Sequence, residues 1–390
     1  MRPDVLERVA RLTREVIAPL AARYDHDAAN PVESWRALGA AGFLGIGIPR
    51  HYGGLGLDMP TYIGVIRTIA GGCANTAMTL HMHSTVMRFI AALGTEDQKR
   101  RYFGEVVTGG KLFGSWGSEP AVSFSRAFLI ETAIREDGDG WVIDGVKHFC
   151  TMAHGASYYM VWCAIAGEPD MGKAVRLAVV PADTPGMTTD GKWDTLGMRG
   201  TYSPSVTFTG VRVGGEAALG RPGAALQAGI VESFGLGYAA VFTGIAEAAL
   251  AFALDYARKR IVRPENVAVA QDPTVQRHIG GLVVHLDAVR LVLADSAAAW
   301  EAADVVERVN LANRAKYLAT EVSLEVTSKV IQVTGGRGAY KDYPAERAFR
   351  DVRTSTLMPP TMDRMLETIG KSALGIQEGM FRIGSGPQGA

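Results

Sequence analysis

The sequence predicts an α+β protein of three parts: a helical domain over residues 1–112, a β-rich domain over 113–222 and a second helical domain over 223–390. Two observations predict this order. Apolar residues recur at helical spacing in the first and last parts, whereas the middle part consists of short β-branched and aromatic runs between turn residues. A chain of 390 residues, 47% of them hydrophobic, is long enough for several packed lobes.

The first part shows one amphipathic stripe before a glycine-rich bend. Apolar side chains recur at steps of three or four residues, at Val5, Val9, Leu12, Val16 and Leu20. The segment "HYGGLGLDMP" at 51–60 interrupts this pattern, and helical spacing resumes through 62–94. The sequence therefore predicts several helices in this domain.

The middle part contains a hairpin signal, and the last part contains long helices. Asp137-Gly138-Asp139-Gly140 separates two β-rich runs, which is typical of a tight β-turn. Further along, one helical face carries Leu311, Leu318, Val322, Val326, Val330 and Val333. Gly335-Gly336 ends this helix. Long helices with apolar stripes indicate a helical bundle.

Charge and cysteine content exclude several classes of protein. The 40 basic and 40 acidic residues cancel, so no nucleic acid or anionic membrane is favoured as a partner. No apolar run reaches the ~18 residues of a membrane span, and no signal peptide is expected. The three cysteines have neither disulfide nor metal-ligand spacing, which suits a reducing cytoplasm. We therefore expect a cytoplasmic enzyme.

A histidine pair does not change the expectation that the protein has no metal site. His81 and His83 form an H-x-H step, but no acidic residue or cysteine lies at ligand spacing. Ordinary packing explains these histidines, and a position lining a pocket is the alternative.

Six segments occur in one order along the chain, and together they carry a family resemblance. They are "GFLGIGIPRHYGGLGLD", "ALGTEDQKRRYF", "GSWGSEP", "WVIDGVKHFCT", "LGMRGTYSPSVTFTGVRV" and "QVTGGRGAYKDYPAERAFRDVR". The chain resembles the acyl-CoA dehydrogenase family of FAD enzymes over nearly its whole length. The resemblance implies an N-terminal helical domain, a middle β-barrel or sandwich, and a C-terminal four-helix bundle, assembled as a homotetramer or homodimer. A G-x-G-x-x-G motif after a strand is absent from the sequence, so a dinucleotide-binding βαβ unit is not expected.

The resemblance places the flavin ring against four residues of the middle domain. Gly117 and Ser118 match the strand beside the pyrimidine side of the ring, where N–H and hydroxyl donors stabilise a reduced, anionic flavin. Phe149 stands where the family usually has a tryptophan stacked on the flavin, and Thr151 matches the hydroxyl near N5. The local alternatives are a serine in a turn and an alternating β-strand.

The resemblance also implies a second set of FAD contacts, at a corner that binds the cofactor of the partner subunit. Arg260 matches the arginine on the FAD pyrophosphate, and Gln271 matches a family glutamine. Gln332, Gly335 and Gly336 follow a long helix, where glycines allow a backbone to approach a dinucleotide closely. An ordinary helix end is the alternative at both places.

The catalytic carboxylate of the family is missing from its usual position. The family's tyrosine-glutamate-glycine-threonine step falls on Met358-Pro359-Pro360-Thr361, so Pro359 replaces the base, while Thr361 matches an FAD contact. In some members the base lies on another helix, at a position that corresponds to Phe234. Glu232, two residues earlier, is the candidate base, and a solvent-facing helix acid is the alternative.

These features lead to one main function and two alternatives. The main expectation is α,β-dehydrogenation of an acyl thioester, of CoA or a carrier protein, with hydride transfer to flavin N5 and electrons passed to an electron-transfer flavoprotein or another acceptor. Ser125 is expected to contact this substrate. The alternatives are a flavin-dependent monooxygenase or oxidase, and a subunit of a heteromeric dehydrogenase. Neither alternative requires the missing base.

Overall fold

The computed structural model describes residues 1–122 and 129–376. The N-terminal part is helical, and almost every side chain of its longest helix is buried. A capping box between Thr95 and Gln98 begins the last of these helices. The helices are α1 (Pro3–Leu12), α2 (Ala21–Asp27), α3 (Val32–Ala40), α4 (Met59–Gly72), α5 (Ala74–Leu93) and α6 (Glu96–Val107).

The middle part forms one mixed eight-stranded sheet in the order β6-β7-β3-β2-β4-β5-β8, and β1 pairs with β4 in parallel. Its strands are β1 (Phe113–Trp116), β2 (Ala133–Asp137), β3 (Gly140–Lys147), β4 (Tyr158–Ile165), β5 (Val175–Pro181), β6 (Met187–Thr189), β7 (Val206–Gly214) and β8 (Ala218–Leu219), with the short helix α7 (Met171–Ala174) before β5. The turn between β2 and β3 pairs Asp137 with Gly140. The predicted hairpin is therefore confirmed.

The C-terminal part is a bundle built around two long helices that pack on each other. Its elements are α8 (Ala224–Gln227), α9 (Glu232–Lys259), a hairpin of β9 (Ile261–Val262) and β10 (Val267–Ala268), α10 (Pro273–Ala299), α11 (Val305–Thr334), α12 (Pro344–Arg353) and α13 (Met362–Ala373). Among the described residues, α9 alone has the length and hydropathy of a membrane span. Since 72% of its most apolar window is buried, these properties fit a core helix.

Helix α9 joins the two helical parts of the molecule. One side packs on α4 and α5, and the other packs on α11. A Cβ at Gly237 would overlap the ring of His81, so glycine lets α5 approach α9 closely at this point. A Cβ at Gly235 would touch Ala312 of α11 at 3.4 Å, which is ordinary contact.

Helix α12 is hydrogen-bonded both to the β-rich part and to the N-terminal helical part. Arg350 donates two hydrogen bonds to the Asp25 carboxylate at 2.6 and 2.9 Å, and one to the Leu196 carbonyl at 3.0 Å. The Met198 amide donates to Asp351 at 2.6 Å. Because bidentate arginine–carboxylate pairs are geometrically specific, these bonds hold the loop around Met198 against α12.

Candidate functional site

A buried ion pair holds the segment that contains Gly117 and Ser118. Lys147 at the end of β3 is completely buried, and its ammonium donates to Glu119 at 2.6 Å and to the Gly117 carbonyl at 3.1 Å. Glu119 also accepts from the amides of Glu131 and Thr132. Although burial acts to raise the pKa of Glu119, the ammonium and these hydrogen bonds lower it overall. The pair therefore fixes the backbone next to Ser118.

A backbone hydrogen bond next to this ion pair brings Gly117 and Ser118 close to Phe149. The His148 amide donates to the Ser118 carbonyl at 2.8 Å, which aligns the segment after β1 with the segment after β3. Phe149 is 56% exposed. The Ser118 hydroxyl has no hydrogen-bond partner within residues 1–122 and 129–376. Thr151 accepts from the Ser203 hydroxyl at 3.1 Å, which leaves the Thr151 proton free to be donated elsewhere.

Two neighbouring loops around these residues have a strained backbone. Backbone φ is positive at five non-glycine residues in them: Phe149, Met152, His154, Met198 and Tyr202. The loops are held together by amide-to-carbonyl bonds from Cys150 to Pro204 and from Met152 to Thr201, at 3.1 and 3.0 Å. Positive φ is costly for L-residues, and clusters of it are typical of functional sites.

This surface fits a flavin ring. It offers an exposed aromatic side chain at Phe149, and hydroxyl groups at Ser118 and Thr151 that donate to none of residues 1–122 and 129–376. A flat ring with a polar edge needs an apolar contact on its face and hydrogen-bond donors at its edge. These three residues would hold the flavin, and the flavin would supply the capacity to accept or deliver electrons.

The other predicted cofactor residues lie at a different corner. The Val269 amide bonds the Arg260 carbonyl at 2.9 Å, which brings Gln271 near the end of α9. Tyr256 donates to the Thr334 carbonyl, which joins the ends of α9 and α11. Gln332, Gly335 and Gly336 are exposed there, and Gln271 is exposed as well. The five residues, Arg260, Gln271, Gln332, Gly335 and Gly336, thus lie at one end of the bundle.

That corner is remote from the Pro359-Pro360 step. Lys316 contacts the step, and Gly335, directly after the end of α11, lies 19 residues further along the chain, which is about 28 Å at 1.5 Å per residue. One chain therefore does not gather all the predicted cofactor residues around a single ring. This separation agrees with the expectation that the corner serves the cofactor of a partner subunit, which stays a prediction.

A buried lysine holds the Met358–Pro360 segment, which the resemblance matches to the family's catalytic carboxylate. Lys316 of α11 is completely buried, and its ammonium donates to the carbonyls of Met358 and Pro360 at 2.5 and 2.6 Å. Burial lowers the pKa of Lys316 to about 7. Pro359, between these carbonyls, is exposed. Thr361, the residue before α13, makes no side-chain capping bond, so its hydroxyl is available for the predicted cofactor contact.

The relocated base position, Phe234, has no carboxylate, and its backbone carbonyl is bonded to His81. His81 bonds the Phe234 carbonyl through Nε2 at 3.2 Å and the Tyr62 hydroxyl through Nδ1 at 2.7 Å. Because a carbonyl only accepts, Nε2 carries the proton and Tyr62 donates to Nδ1. Burial lowers the pKa of His81 to about 3, so the ring is neutral. His81 is therefore a satisfied, packed histidine, as expected from the sequence.

Glu232 lies at the start of α9, on another side of the helix from Phe234. Two residues correspond to about 200° of rotation, so the side chains at 232 and 234 diverge. Glu232 is attracted by Arg308 of α11, and Arg308 is eight residues, about 12 Å, before Lys316. The Glu232 Oε2 atom is buried without a partner among the described residues, and burial raises the pKa of this carboxyl. Its role as a base stays a prediction, and Ser125 lies outside the described residues.

Lys316 and Tyr238, the two residues that most distinguish this site, were not predicted from the sequence. The Lys316 ammonium lies 5.7 Å from the centroid of the Tyr238 ring. A signal for Lys316 was present, because it shares a helical face with Ala312, Ala319 and Ser323, which are all buried. A lysine on a buried face of small side chains indicates a specific partner for its ammonium.

Comparisons with known proteins agree with this architecture. Sequence profiles for the N-terminal, middle and C-terminal domains of acyl-CoA dehydrogenase match residues 3–110, 114–211 and 236–358. The chain is 30% identical to a dibenzothiophene monooxygenase of Mycolicibacterium goodii, over 93% of this chain and 92% of the relative. It is 28% identical to the human mitochondrial short-chain specific acyl-CoA dehydrogenase, over 92% and 86%.

A solved structure shows the same fold. Butyryl-CoA dehydrogenase from Megasphaera elsdenii superposes with a TM-score of 0.87 at 25% identity, covering 95% of this chain and 97% of that one. The three-part fold and the flavin cofactor predicted from the sequence are thereby confirmed. The chain belongs to the acyl-CoA dehydrogenase family of flavin-dependent oxidoreductases.

Proposed function

We propose that this chain is a flavin-dependent monooxygenase, the first alternative considered from its sequence. One observation carries the proposal: neither position at which the family holds its carboxylate has one here. The usual position is Pro359, flanked by carbonyls bonded to the Lys316 ammonium, and the relocated position is Phe234. Removal of an α-proton from an acyl thioester requires a base placed against that proton.

The chemistry divides between the cofactor and the residues of the chain. A bound flavin, once reduced, supplies the electrons that activate dioxygen. Ser118 and Thr151 would donate hydrogen bonds to the flavin edge, and Phe149 would cover part of its face. Lys316 holds the segment of Met358 and Pro360 in place. The 30% identity to a dibenzothiophene monooxygenase over most of both chains supports this assignment.

The proposal also determines which partners are expected. Electrons would come from a separate reductase or electron-transfer protein, because no dinucleotide-binding βαβ unit is expected from this sequence. The FAD of the family is the proposed flavin, in a homotetramer or homodimer in which the corner of Arg260 and Gly335 completes a partner's cofactor site. A cytoplasmic location stays part of the proposal.

The test compares reduction of the flavin by an acyl thioester with oxygen transfer by the flavin after a reductase has reduced it. Flavin-loaded protein is mixed anaerobically with butyryl-CoA, and separately with a flavin reductase, NADH, isotopically labelled dioxygen and an organosulfur or indole probe. We expect no bleaching by butyryl-CoA and one labelled oxygen atom in the probe. The reductase without this chain is the control, because free reduced flavin consumes oxygen by itself. Rapid bleaching by the thioester without oxygen transfer would contradict the proposal.

Acyl thioester dehydrogenation is the second candidate, and Glu232 favours it. A buried carboxylate oxygen without a partner in the described part of the chain, together with a raised pKa, is typical of a general base. The 28% identity to a short-chain acyl-CoA dehydrogenase gives this candidate separate support.

Glu232→Gln tests this second candidate. If Glu232 is the base, the variant should reduce its flavin with butyryl-CoA at least about 100-fold more slowly than the wild type, measured by anaerobic stopped flow. Glu301→Gln is the matched control, since Glu301 is exposed after α10. Equal rates in wild type and Glu232→Gln would remove Glu232 from the mechanism.

A further inference from the structure

A phenol near the Pro359-Pro360 step has no hydrogen-bond partner among the described residues. Tyr238 of α9 is half-buried, and its hydroxyl bonds to none of the residues that the structure describes. Burial raises the pKa of Tyr238 well above its usual value. The hydroxyl therefore remains a neutral donor across the physiological range. Because this donor has no partner among those residues, a ligand that accepts its hydrogen bond would displace no protein acceptor.

A buried positive charge lies next to this phenol. The Lys316 ammonium uses two N–H groups on the Met358 and Pro360 carbonyls, and the face of the Tyr238 ring is 5.7 Å away. Within the described part of the chain, no carboxylate lies within 4.0 Å of this ammonium. Carbonyl dipoles solvate the cation but leave its net charge uncompensated.

Aromatic side chains form the wall on the other side of Tyr238. Its ring meets His81 edge-to-face with centroids 5.5 Å apart, and it lies 6.3 Å from Phe234. Phe234 in turn meets His81 edge-to-face at 6.0 Å. His81 is neutral, so it does not offset the charge of Lys316. The surroundings of the Tyr238 ring thus combine aromatic surface, one hydroxyl donor and one uncompensated cation.

We propose that Tyr238 and Lys316 form an anion-accepting site beside the Pro359-Pro360 step. Tyr238 donates a hydrogen bond to an oxyanion of the ligand, a carboxylate or an ionised hydroxyl, and the charge of Lys316 favours that anion over a neutral molecule. Tyr238 is the residue that contacts the ligand, and Lys316 acts through charge and through the position of the Met358–Pro360 segment. The inference rests on the proposed function only in taking the surroundings of the Pro359-Pro360 step as the reaction site.

The experiment measures charge preference with matched probes. Flavin-loaded protein, oxidised and anaerobic, is titrated with benzoate and benzamide, and then with acetate and acetamide, by calorimetry and by the flavin absorption spectrum. The pH is set about one unit below the Lys316 pKa, so that the amine is protonated. We expect the wild type to bind benzoate about tenfold more tightly than benzamide.

Three variants separate the two roles. Lys316→Gln keeps donors for the carbonyls but removes the charge, and it should reduce the preference for anions to about twofold or less. Tyr238→Phe should weaken both probes about tenfold. Tyr52→Phe, in the N-terminal part and bonded to Glu96, is the control and should match the wild type.

The outcomes that overturn the inference differ from those that overturn the proposed function. Equal affinity for anion and amide in the wild type, or an unchanged preference in Lys316→Gln, would exclude an anion site. Failure of both anions to bind at millimolar concentration would do the same. Since no reduction and no oxygen are involved, these results do not depend on whether the enzyme is a monooxygenase.

Discussion

Lys147→Met is expected to lower the free energy of unfolding by about 3–5 kcal/mol. The substitution leaves Glu119, 6% exposed, as a charge without its cation, and it removes the donor to the Gly117 carbonyl. Breaking a buried pair by removing one partner costs far more than the pair contributes, because the remaining charge stays desolvated. Urea unfolding followed by circular dichroism measures the change, and flavin binding should weaken because Gly117 and Ser118 lose their support.

Two controls show whether burial is the cause. Lys259→Met breaks the surface pair with Asp255, whose side chains are 76% and 59% exposed, and it should cost less than about 1 kcal/mol. Lys147→Met combined with Glu119→Gln removes the isolated charge and should recover part of the loss. If Lys147→Met and Lys259→Met had similar unfolding midpoints, the interpretation of the buried pair would be wrong.

Gly197→Ala is expected to cost about 3 kcal/mol, at the upper end for overpacking, and to weaken flavin binding. A Cβ at this position would overlap the backbone carbonyl of Arg350 in α12. Because the clash is with backbone, no side-chain rotation relieves it, and the loop must move away from the helix. The hydrogen bond from the Met198 amide to the Asp351 carboxylate would then lengthen. The strained loops that support Thr151 would no longer be held against α12.

Gly280→Ala is the control for this prediction. A Cβ at Gly280 meets nothing within 4 Å, and alanine is the better helix former, so α10 should gain about 0.5–1 kcal/mol. Flavin titration and urea unfolding of both variants give the comparison. Wild-type flavin affinity in Gly197→Ala would show that close contact between the loop and α12 is not needed for the cofactor site.

Periodicity and turn chemistry were sufficient to predict much of the fold. The stripe of Leu318, Val322, Val326 and Val330 lies on α11, which ends before Gly335 as the glycines indicated. The hairpin at Asp137-Gly140 forms because the two residues between the strands accept a tight turn. Local patterns of this kind depend on neighbours in sequence, which is why one sequence is enough to predict them.

The candidate site was less predictable because its defining contacts are long-range. Lys316 reaches carbonyls 42 and 44 residues later in the chain, and His81 reaches a carbonyl 153 residues away. Nothing in the sequence near Lys316 names these acceptors. The resemblance to the family indicated Pro359 and Phe234 as the base positions. Only the packing of α9 against α5 and α11 shows that Lys316 and His81 lie beside them.

The contact between His81 and Gly237 has a consequence for how this protein can change over generations. The imidazole occupies the volume that any larger side chain at 237 would need, and its two hydrogen bonds keep it from moving aside. A lineage could enlarge position 237 only after position 81 had become smaller. The two positions should therefore vary together, and each constrains which residues the other can acquire.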